Sequence, residues 1–283
     1  MDIDQARTFL AIAAHGSFLE AAKRLHVTQS TVSARIQNLE DELGARLFVR
    51  NRSGASMTPA GQRFLQHAKT LALTVEQARH DVGLPSRYRA SLRVGGRIAL
   101  WEEFLPNWVG WMRRTAPDVS IRSEIGFEED LMRRLIEGTL DIGLMYTPSH
   151  APGLIVERIF DEMLVMVSSR PDTRWPGDDY IYVEWGPGFY ARHRESYPDL
   201  EGPAQVVNIG WLGIQLILTN GGSCFLPIRM ARPFIQQGRL FRVEEAPEFP
   251  HPAYMVFPRE ADSEVLQLGL SGLRELALEE QGN

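Results

Sequence analysis

The chain has 283 residues, 44% of them hydrophobic, with a single cysteine and a net charge of −6. That length and apolar content suit two or three folding units, and the lone Cys224 excludes a disulfide framework or a Cys-based metal site within one chain. No apolar run approaches the roughly 18 residues of a membrane span, and Asp2 and Asp4 stand where a secretion signal would want positive charge, so a cytoplasmic protein is expected. The charge is uneven. Residues 1–58 hold seven Lys and Arg against six Asp and Glu, a net +1, and the remainder carries −7. A near-neutral head on an acidic body suits a site-specific DNA binder better than a DNA-coating protein, which would need a strongly basic surface.

In chain order, two amphipathic helical patterns meet at a short turn. Phe18, Ala21, Ala22 and Leu25 recur at helical spacing behind the N-cap Ser17, and Val32, Ile36, Leu39 and Leu43 form a stripe behind the N-cap Thr28. With that stripe inward, Ser30, Ser33, Ala34 and Gln37 turn outward, and Gln29 sits at the helix N-terminus that usually meets base edges. Periodicity alone leaves two readings open, a DNA-binding helix-turn-helix or an ordinary helical hairpin inside a core. Leu47–Arg50 and Ser56–Thr58 suit a small hairpin across residues 51–55, a wing. Pro59 suits the first turn of a further helix capped by Thr58.

The flanking residues favour the first reading. Gly16-Ser17-Phe18, Ala21-Ala22, Thr28-Gln29, Val32-Ser33, Leu39-Glu40, Leu43-Gly44, Leu47-Phe48 and Thr58-Pro59-Ala60-Gly61, in that order, resemble the N-terminal domain of LysR-type transcriptional regulators over residues 1–66. The resemblance implies a winged helix-turn-helix over 1–59 that contacts double-stranded DNA through Gln29, Ser30, Thr31, Ser33, Ala34, Gln37 and Asn38. Arg50 and Arg52 of the wing, with Arg46, would meet the backbone or minor groove. Many relatives carry proline after the Thr-Gln pair and several cations on this helix. Here Ser30, Ala34, Gln37 and Asn38 leave it less charged, and Arg35 falls on the flank, suited to a phosphate or a structural ion pair.

Farther along, Phe64, Ala68, Leu71, Val75, Ala78 and Val82 step as a heptad seam over a helix 60–84. Such a stripe could also pack on its own domain. The resemblance implies pairing with a second copy, hence a homodimer or a homotetramer built from dimers, and an interrupted palindromic operator. RNA polymerase is a further possible partner. PSRYRAS (85–91) reads as a hinge. Short strands then alternate with helices: strand 92–95, helix 101–114, strand 119–125, helix 128–137, strand 140–145, strands 155–159 and 163–168. A second unit follows with strand 180–183, helix 188–196, strand 204–208, helix 211–219 and strand 223–227, and strand 254–257 and helix 263–279 close the chain. The resemblance implies a two-lobed, periplasmic-binding-protein-like effector domain over 92–283, with lobe I about 92–160 and 258–283 and lobe II about 161–257. Leu100-Trp101-Glu102, Glu184-Trp185-Gly186-Pro187 with Phe189, and Asn220-Gly221 with Leu226-Pro227 are similar to the HdfR subgroup of that family.

An unknown small-molecule effector is expected between the lobes, near Arg97, Ala99, Leu100, Trp101, Glu102, Phe127, Glu184, Trp185, Phe189 and Asn208. Ala99 replaces the Ser or Thr that helps hold a carboxylate in many relatives. Two tryptophans beside carboxylates suit a cation or amine, whereas Arg97 would suit an anion. Equally open is that Trp101 and Trp185 are lobe core and that the glutamates cap helices. Two other functions compete. An enzyme would need a site such as Gly221-Gly222-Ser223-Cys224, which reads better as a tight turn that buries a thiol, and no phosphate loop, nucleophile elbow or paired histidines stand elsewhere. An architectural DNA binder without a ligand would share the same head. No metal or cofactor is expected.

Overall fold

The computed structural model describes residues 1–51, 54–173, 177–200, 202–259 and 263–281, and two compact units divide between Pro85 and Ser86, with Glu137–Thr139 grouped with the first. In the first unit, helix α1 (Ile3–His15) opens with a capping box between Asp2 and Gln5 and stops at Gly16 in the left-handed conformation. Helix α2 (Phe18–Arg24) is capped by Ser17, and helix α3 (Gln29–Leu43) by Thr28, whose hydroxyl accepts from the Thr31 amide. The turn between them holds His26 at φ 54°, a left-handed position without a glycine. Strands β1 (Phe48–Asn51) and β2 (Gly54–Met57) pair antiparallel from Phe48↔Met57 to Asn51↔Gly54, a tighter hairpin than the sequence predicts. Helix α4 (Pro59–Val82) follows.

The head's core is made by Phe9, Phe18, Val32, Ile36, Leu39 and Phe48, with the Phe9 ring 5.0 Å from both Phe48 and Phe64. Leu43, expected on the same stripe, is instead exposed at the helix end. The heptad reading of α4 needs correction at its first half. Phe64 and Ala68 are buried in this core and Leu71 packs against it, because α4 lies along α1 and its first three turns finish the head. Val75 is half-buried, and Ala78 and Val82 are exposed.

The Thr58-Pro59-Ala60-Gly61 motif has a steric reason. A Cβ on Gly61 would lie 2.2 Å from the Leu47 carbonyl oxygen, so only glycine lets α4 start against the strand leading into the wing. Gly54 is under a similar constraint, since its φ is 132° and a Cβ would lie 2.3 Å from the Gly16 carbonyl, which accepts from the Ala55 amide at 2.7 Å.

The second unit begins with strand β3 (Ala90–Gly96), so the last two residues of the predicted hinge are already in the sheet. A 3-10 turn (Ile98–Trp101) and helix α5 (Phe104–Thr115) replace the single predicted helix 101–114, and the break falls at Glu103, whose φ is 91°. Strand β4 (Val119–Ile125), helix α6 (Glu128–Ile136), strand β5 (Ile142–Met145) and strand β6 (Leu154–Ser168) follow. Next come strand β7 (Ile181–Val183), helix α7 (Pro187–Ser196), strand β8 (Gln205–Val207), helix α8 (Gly210–Asn220), strand β9 (Ser223–Pro227), helix α9 (Ile228–Gln236), strand β10 (Phe241–Arg242), strand β11 (Phe249–Pro258) and helix α10 (Glu264–Gln281).

Among the described residues the main sheet runs β10-β6-β11-β5-β3-β4, with β9 on the other edge of β6 and β7-β8 as a separate parallel pair. Strands β3, β4 and β5 are parallel, as strand-helix alternation implies, and make lobe I with α5, α6 and α10, where the fully buried Trp108 donates to the Gly269 carbonyl. The first halves of β11 and the second half of β6 belong with β7, β8, β9 and the intervening helices as lobe II. The two predicted strands 155–159 and 163–168 are one strand. Its charged middle suggested a gap, but Arg158 and Asp161 pair with each other while the ladder to β11 runs from Leu154↔Pro258 to Leu164↔Phe249. The register shifts once, between Ala253 and Tyr254, opposite Phe160 and Arg158 and next to the predicted lobe boundary at 160–161. Helix α9 was not anticipated because it contains Pro233, whose missing amide forgoes one helical hydrogen bond.

Lobe II buries two imidazoles. His193 lies among Tyr180, Tyr182, Phe189 and Phe225, its Nε2 is 3.0 Å from the Tyr180 hydroxyl, and burial, then Arg194, lowers its pKa to about 4. His251 is brought down to about 3 by burial, then by Arg192 and Arg97.

Two predictions follow from this packing. Gly61→Ala is expected to cost the head about 1–3 kcal/mol by forcing α4 off the Leu47 backbone, read as a lower unfolding midpoint of the head. The two imidazoles make lobe stability pH-dependent. Both folded pKa values lie below the unfolded value near 6.5, so the unfolded chain binds the extra protons and stability falls as pH drops from about 6.5 toward 4, by up to about 1.4 kcal/mol per pH unit for each imidazole. Denaturant unfolding at pH 7, 6 and 5 should show this loss, and His251→Asn should flatten the slope; a slope unchanged by the substitution would refute its assignment.

Candidate DNA interface and effector cleft

Helix α3 sorts its residues by face. Val32, Ile36 and Leu39 are buried, while Gln29, Ser30, Ala34, Gln37 and Asn38 are exposed and Thr31 and Ser33 are half-buried. The Thr28 hydroxyl lies 2.8 Å from both the Ser30 and Thr31 hydroxyls, a polar cluster at the helix N-terminus. Between α3 and β1 is a concavity of about 670 Å³ lined by Ser33, Ala34, Gln37, Arg46 and Val49 among others. The Arg50 side chain and Arg52 lie outside the described residues.

A carboxylate fixes this concavity. Glu40 is buried, and its Oε1 accepts from the amides of Leu47 (2.7 Å) and Phe48 (3.2 Å) while Oε2 takes Arg46 at 2.8 Å. A charged acceptor that satisfies two strand amides locks the helix to the wing root. Sequence analysis missed Glu40, although a carboxylate next to Leu39 on a core-facing stripe is a detectable signal. Two expected DNA contacts are modified by this network. Gln37 is held within the head, donating to Asp41 at 2.6 Å and accepting from Arg46 at 3.0 Å. Arg35 forms the structural ion pair, at 2.6 Å from Asp4.

In the second unit, the lobes meet over a buried polar cluster. Tyr146, just after β5, donates to Glu162 of β6 at 2.6 Å; Glu162 pairs with Arg229 at the start of α9; and Arg229 reaches the Ala99 carbonyl of the 3-10 turn at 3.5 Å. Arg229 and Glu162 are each only 4% exposed. The His251 ring lies 4.1 Å from Tyr146 at a tilt of 30°, and Trp185 stands edge-on to both rings. Burial raises the Tyr146 pKa, which keeps the phenol a donor. Arg229 Nη1 and His251 Nε2 are buried without a hydrogen-bond partner among the described residues. At the mouth, Arg97 pairs with Glu128 at 3.4 Å and lies over the Phe127 ring at 4.5 Å.

The predicted effector set is divided by this geometry. Arg97 and Ala99 border the junction, and Phe127 is exposed beside Arg97. Leu100 and Phe189 are core. Trp101 is tied to the Glu124 carbonyl at 3.0 Å and Trp185 to the Phe225 carbonyl at 2.8 Å, so both indole N–H groups are spent inside their own lobes. Glu184 is exposed on lobe II, Glu102 is half-buried and Asn208 is exposed after β8. The paired tryptophan-carboxylate box therefore does not assemble, because Trp185 and Phe189 face the lobe II interior while Glu184, one residue from Trp185, faces out. Tyr146, Glu162, Arg229 and His251 were the unrecognised polar residues; Glu162 and Arg229 stand out only as charges flanking apolar runs. The Gly221-Gly222-Ser223-Cys224 segment is a tight turn into β9 with Ser223 and Cys224 fully buried and the thiol pKa raised by burial.

Comparison with known proteins agrees with both units. Residues 3–62 match the family described as bacterial regulatory helix-turn-helix protein, lysR family, and residues 86–277 match the LysR substrate binding domain. The chain is 30% identical over 278 residues to the HTH-type transcriptional regulator HdfR of Yersinia enterocolitica, covering 94% of each. Among solved structures it is similar to CbnR, a LysR family transcriptional regulator, with a TM-score of 0.69 at 21% identity over 98% of this chain and 99% of that one. It also resembles CbnR complexed with its target DNA (TM-score 0.54, 22% identity, 98% and 100% covered) and LysG from Corynebacterium glutamicum with bound effector Arg (TM-score 0.56, 20% identity, 99% of each). Two family domains in this order, over nearly the whole chain, make it a member of the LysR family of transcriptional regulators, with a DNA-binding helix-turn-helix head and an effector-binding domain.

Proposed function

We propose that this chain is a cytoplasmic, non-enzymatic regulator whose paired heads read an interrupted palindrome in double-stranded DNA and whose two lobes hold a small-molecule effector at their junction. The observation that carries the DNA reading is the outward face of α3, where short or uncharged side chains sit over a buried stripe and Gln29 leads the helix. Gln29, Ser30 and Ala34 are the base readers in this assignment, with Ser33 lining the adjacent concavity and Arg46, Arg50 and Arg52 serving the backbone. Gln37 joins them once DNA competes for its amide. Pairing of two copies is assigned to the second half of α4, through Val75, Ala78 and Val82, where the apolar stripe leaves the head and Ala78 and Val82 are exposed. Phe64 and Ala68 serve the head instead.

At the junction, the unpartnered Arg229 Nη1 and His251 Nε2 are the groups a bound effector would satisfy, with Arg97 and Phe127 at the entrance. Arg229 Nη1 is a donor and suits a ligand with an acceptor oxygen, in place of the amine that a tryptophan-carboxylate box would select, while the neutral His251 ring donates or accepts at Nε2 according to its tautomer. A ligand that binds one lobe closure better than another shifts the population by its differential affinity, and the effect on the paired heads or on RNA polymerase would follow from that shift.

Genome-wide binding of the purified protein, followed by footprinting, tests the DNA assignment. Ala34→Glu, on an exposed position, is expected to leave folding intact and weaken operator binding about a hundredfold through bulk and repulsion. Gln29→Ala should cost about 1–3 kcal/mol and relax readout at one base pair. Unaltered protection of the operator by both variants would place the reading helix elsewhere. For pairing, Val82→Glu combined with Ala78→Glu should lower the sedimenting mass and abolish cooperative DNA binding. Leu71→Glu is a poorer probe because it also disturbs the head.

A further inference from the structure

Lobe II carries a second cavity that belongs neither to the DNA face nor to the lobe junction. It has a volume of about 530 Å³, within the range of small-molecule sites, and shares none of Ala99, Tyr146, Glu162, Arg229 or His251 with the junction. Its origin is topological. Parallel strands are normally covered on both faces, and the β7-β8 pair buries Ile181, Val183 and Val207 inward. Its outward residues Tyr182 and Val206, which are register partners, are only partly covered. Helix α7 and the following segment border this outer face without filling it, leaving Tyr190, Tyr197 and Leu200 as further walls and the His193 ring as floor.

The two charged residues of its lining differ in surroundings. Glu184 stands at the end where Tyr182 and Tyr190 lie, and no ion pair holds it among the described residues; its field and that of Tyr190 add to burial in pushing the Tyr182 phenol up to about 12. Arg194, beside His193 and one helical turn beyond Tyr190 on α7, is the cationic residue of the lining. Phenol ring faces attract cations, and the full charge of the carboxylate beside them outweighs the opposing partial positive charge, about half a unit, at the uncapped N-terminus of α7, where Gly186 and Pro187 also line the cavity. We propose that this cavity is a second ligand site of lobe II, taking a small aromatic amine with its ring between Tyr182, Tyr190 and Val206 and its ammonium group at Glu184.

The full-length protein, titrated calorimetrically with phenylethylamine and separately with phenylacetate, tests this. Saturable binding of phenylethylamine is expected, weakened about fivefold in Glu184→Gln and lost in Val206→Arg, which fills the cavity and places a cation in it. Tyr190→Phe, which keeps the ring, should bind as the parent does. Val206 is 54% exposed, so the arginine variant should fold, and its unfolding midpoint checks that it does. Phenylacetate binding as tightly as the amine, amine binding unaffected by Val206→Arg, or no amine binding at millimolar concentration would each overturn the proposal. So would a drop in sedimenting mass of Val206→Arg without amine, which would show that the face is covered by a second copy instead.

Discussion

The effector unit is organised by the ion pair between Glu162 and Arg229, buried where β6 and β11 pass from one lobe to the other. Taking two charges out of water costs several kcal/mol each, and their attraction returns that only if the remaining hydrogen-bonding capacity is also used. Tyr146 supplies part of it from lobe I, and the Ala99 carbonyl another part. Such a pair adds little to net stability. Its consequence is geometric: Tyr146 and Ala99 from lobe I are brought to one polar contact with Glu162 and Arg229 from lobe II. Two long strands carry the chain through this contact, so a change in lobe angle must either keep these bonds or exchange them for others. At the proposed effector site, a ligand that offers an acceptor to Arg229 Nη1 changes the terms of that exchange and so biases one closure over another.

The head uses a buried charge in a different way. Glu40 is satisfied by two strand amides and by an arginine that is itself mostly exposed, so its desolvation is offset locally and it joins α3 to the wing root. This makes the concavity beside α3 a fixed shape, and it also occupies Gln37 and Arg46, two side chains that would otherwise be the obvious polar reach from this helix. The outward face of α3 is left with small and uncharged residues. With the base readers proposed above, affinity depends on fit to base edges, and the phosphate-directed part is assigned to the wing.

Helix α4 shows how one apolar stripe can serve two partners. Its residues step evenly from Phe64 to Val82, and nothing in that spacing marks where one use ends. The division becomes visible only when α1 occupies the first part, burying Phe64 and Ala68 and leaving Ala78 and Val82 in solvent. A similar ambiguity affects Glu184 and Trp185. Adjacent residues near a strand end face opposite ways, so the pair cannot act together: Trp185 closes the lobe II interior, and Glu184 borders the outer cavity.

Local chemistry in the chain was enough for the caps at Ser17, Thr28 and Thr58, the buried stripe of α3 through Val32, Ile36 and Leu39, and the alternation of strands and helices beyond residue 90, because each depends on neighbours a few residues away. The order of motifs in residues 1–66 added the family. Where local rules conflicted with long-range pairing, the reading failed: β6 continues across Arg158 and Asp161 because β11 supplies its hydrogen bonds, and α9 tolerates Pro233 because its apolar face is buried against the sheet. The polar junction was hidden for the same reason. Tyr146, Glu162, Arg229 and His251 come from four separate stretches, and their chemistry exists only after β5, β6, α9 and β11 converge. Sequence spacing determines which face of its own element a side chain occupies, but the residue it meets there is decided by tertiary packing, since burial and charge pairing act through space.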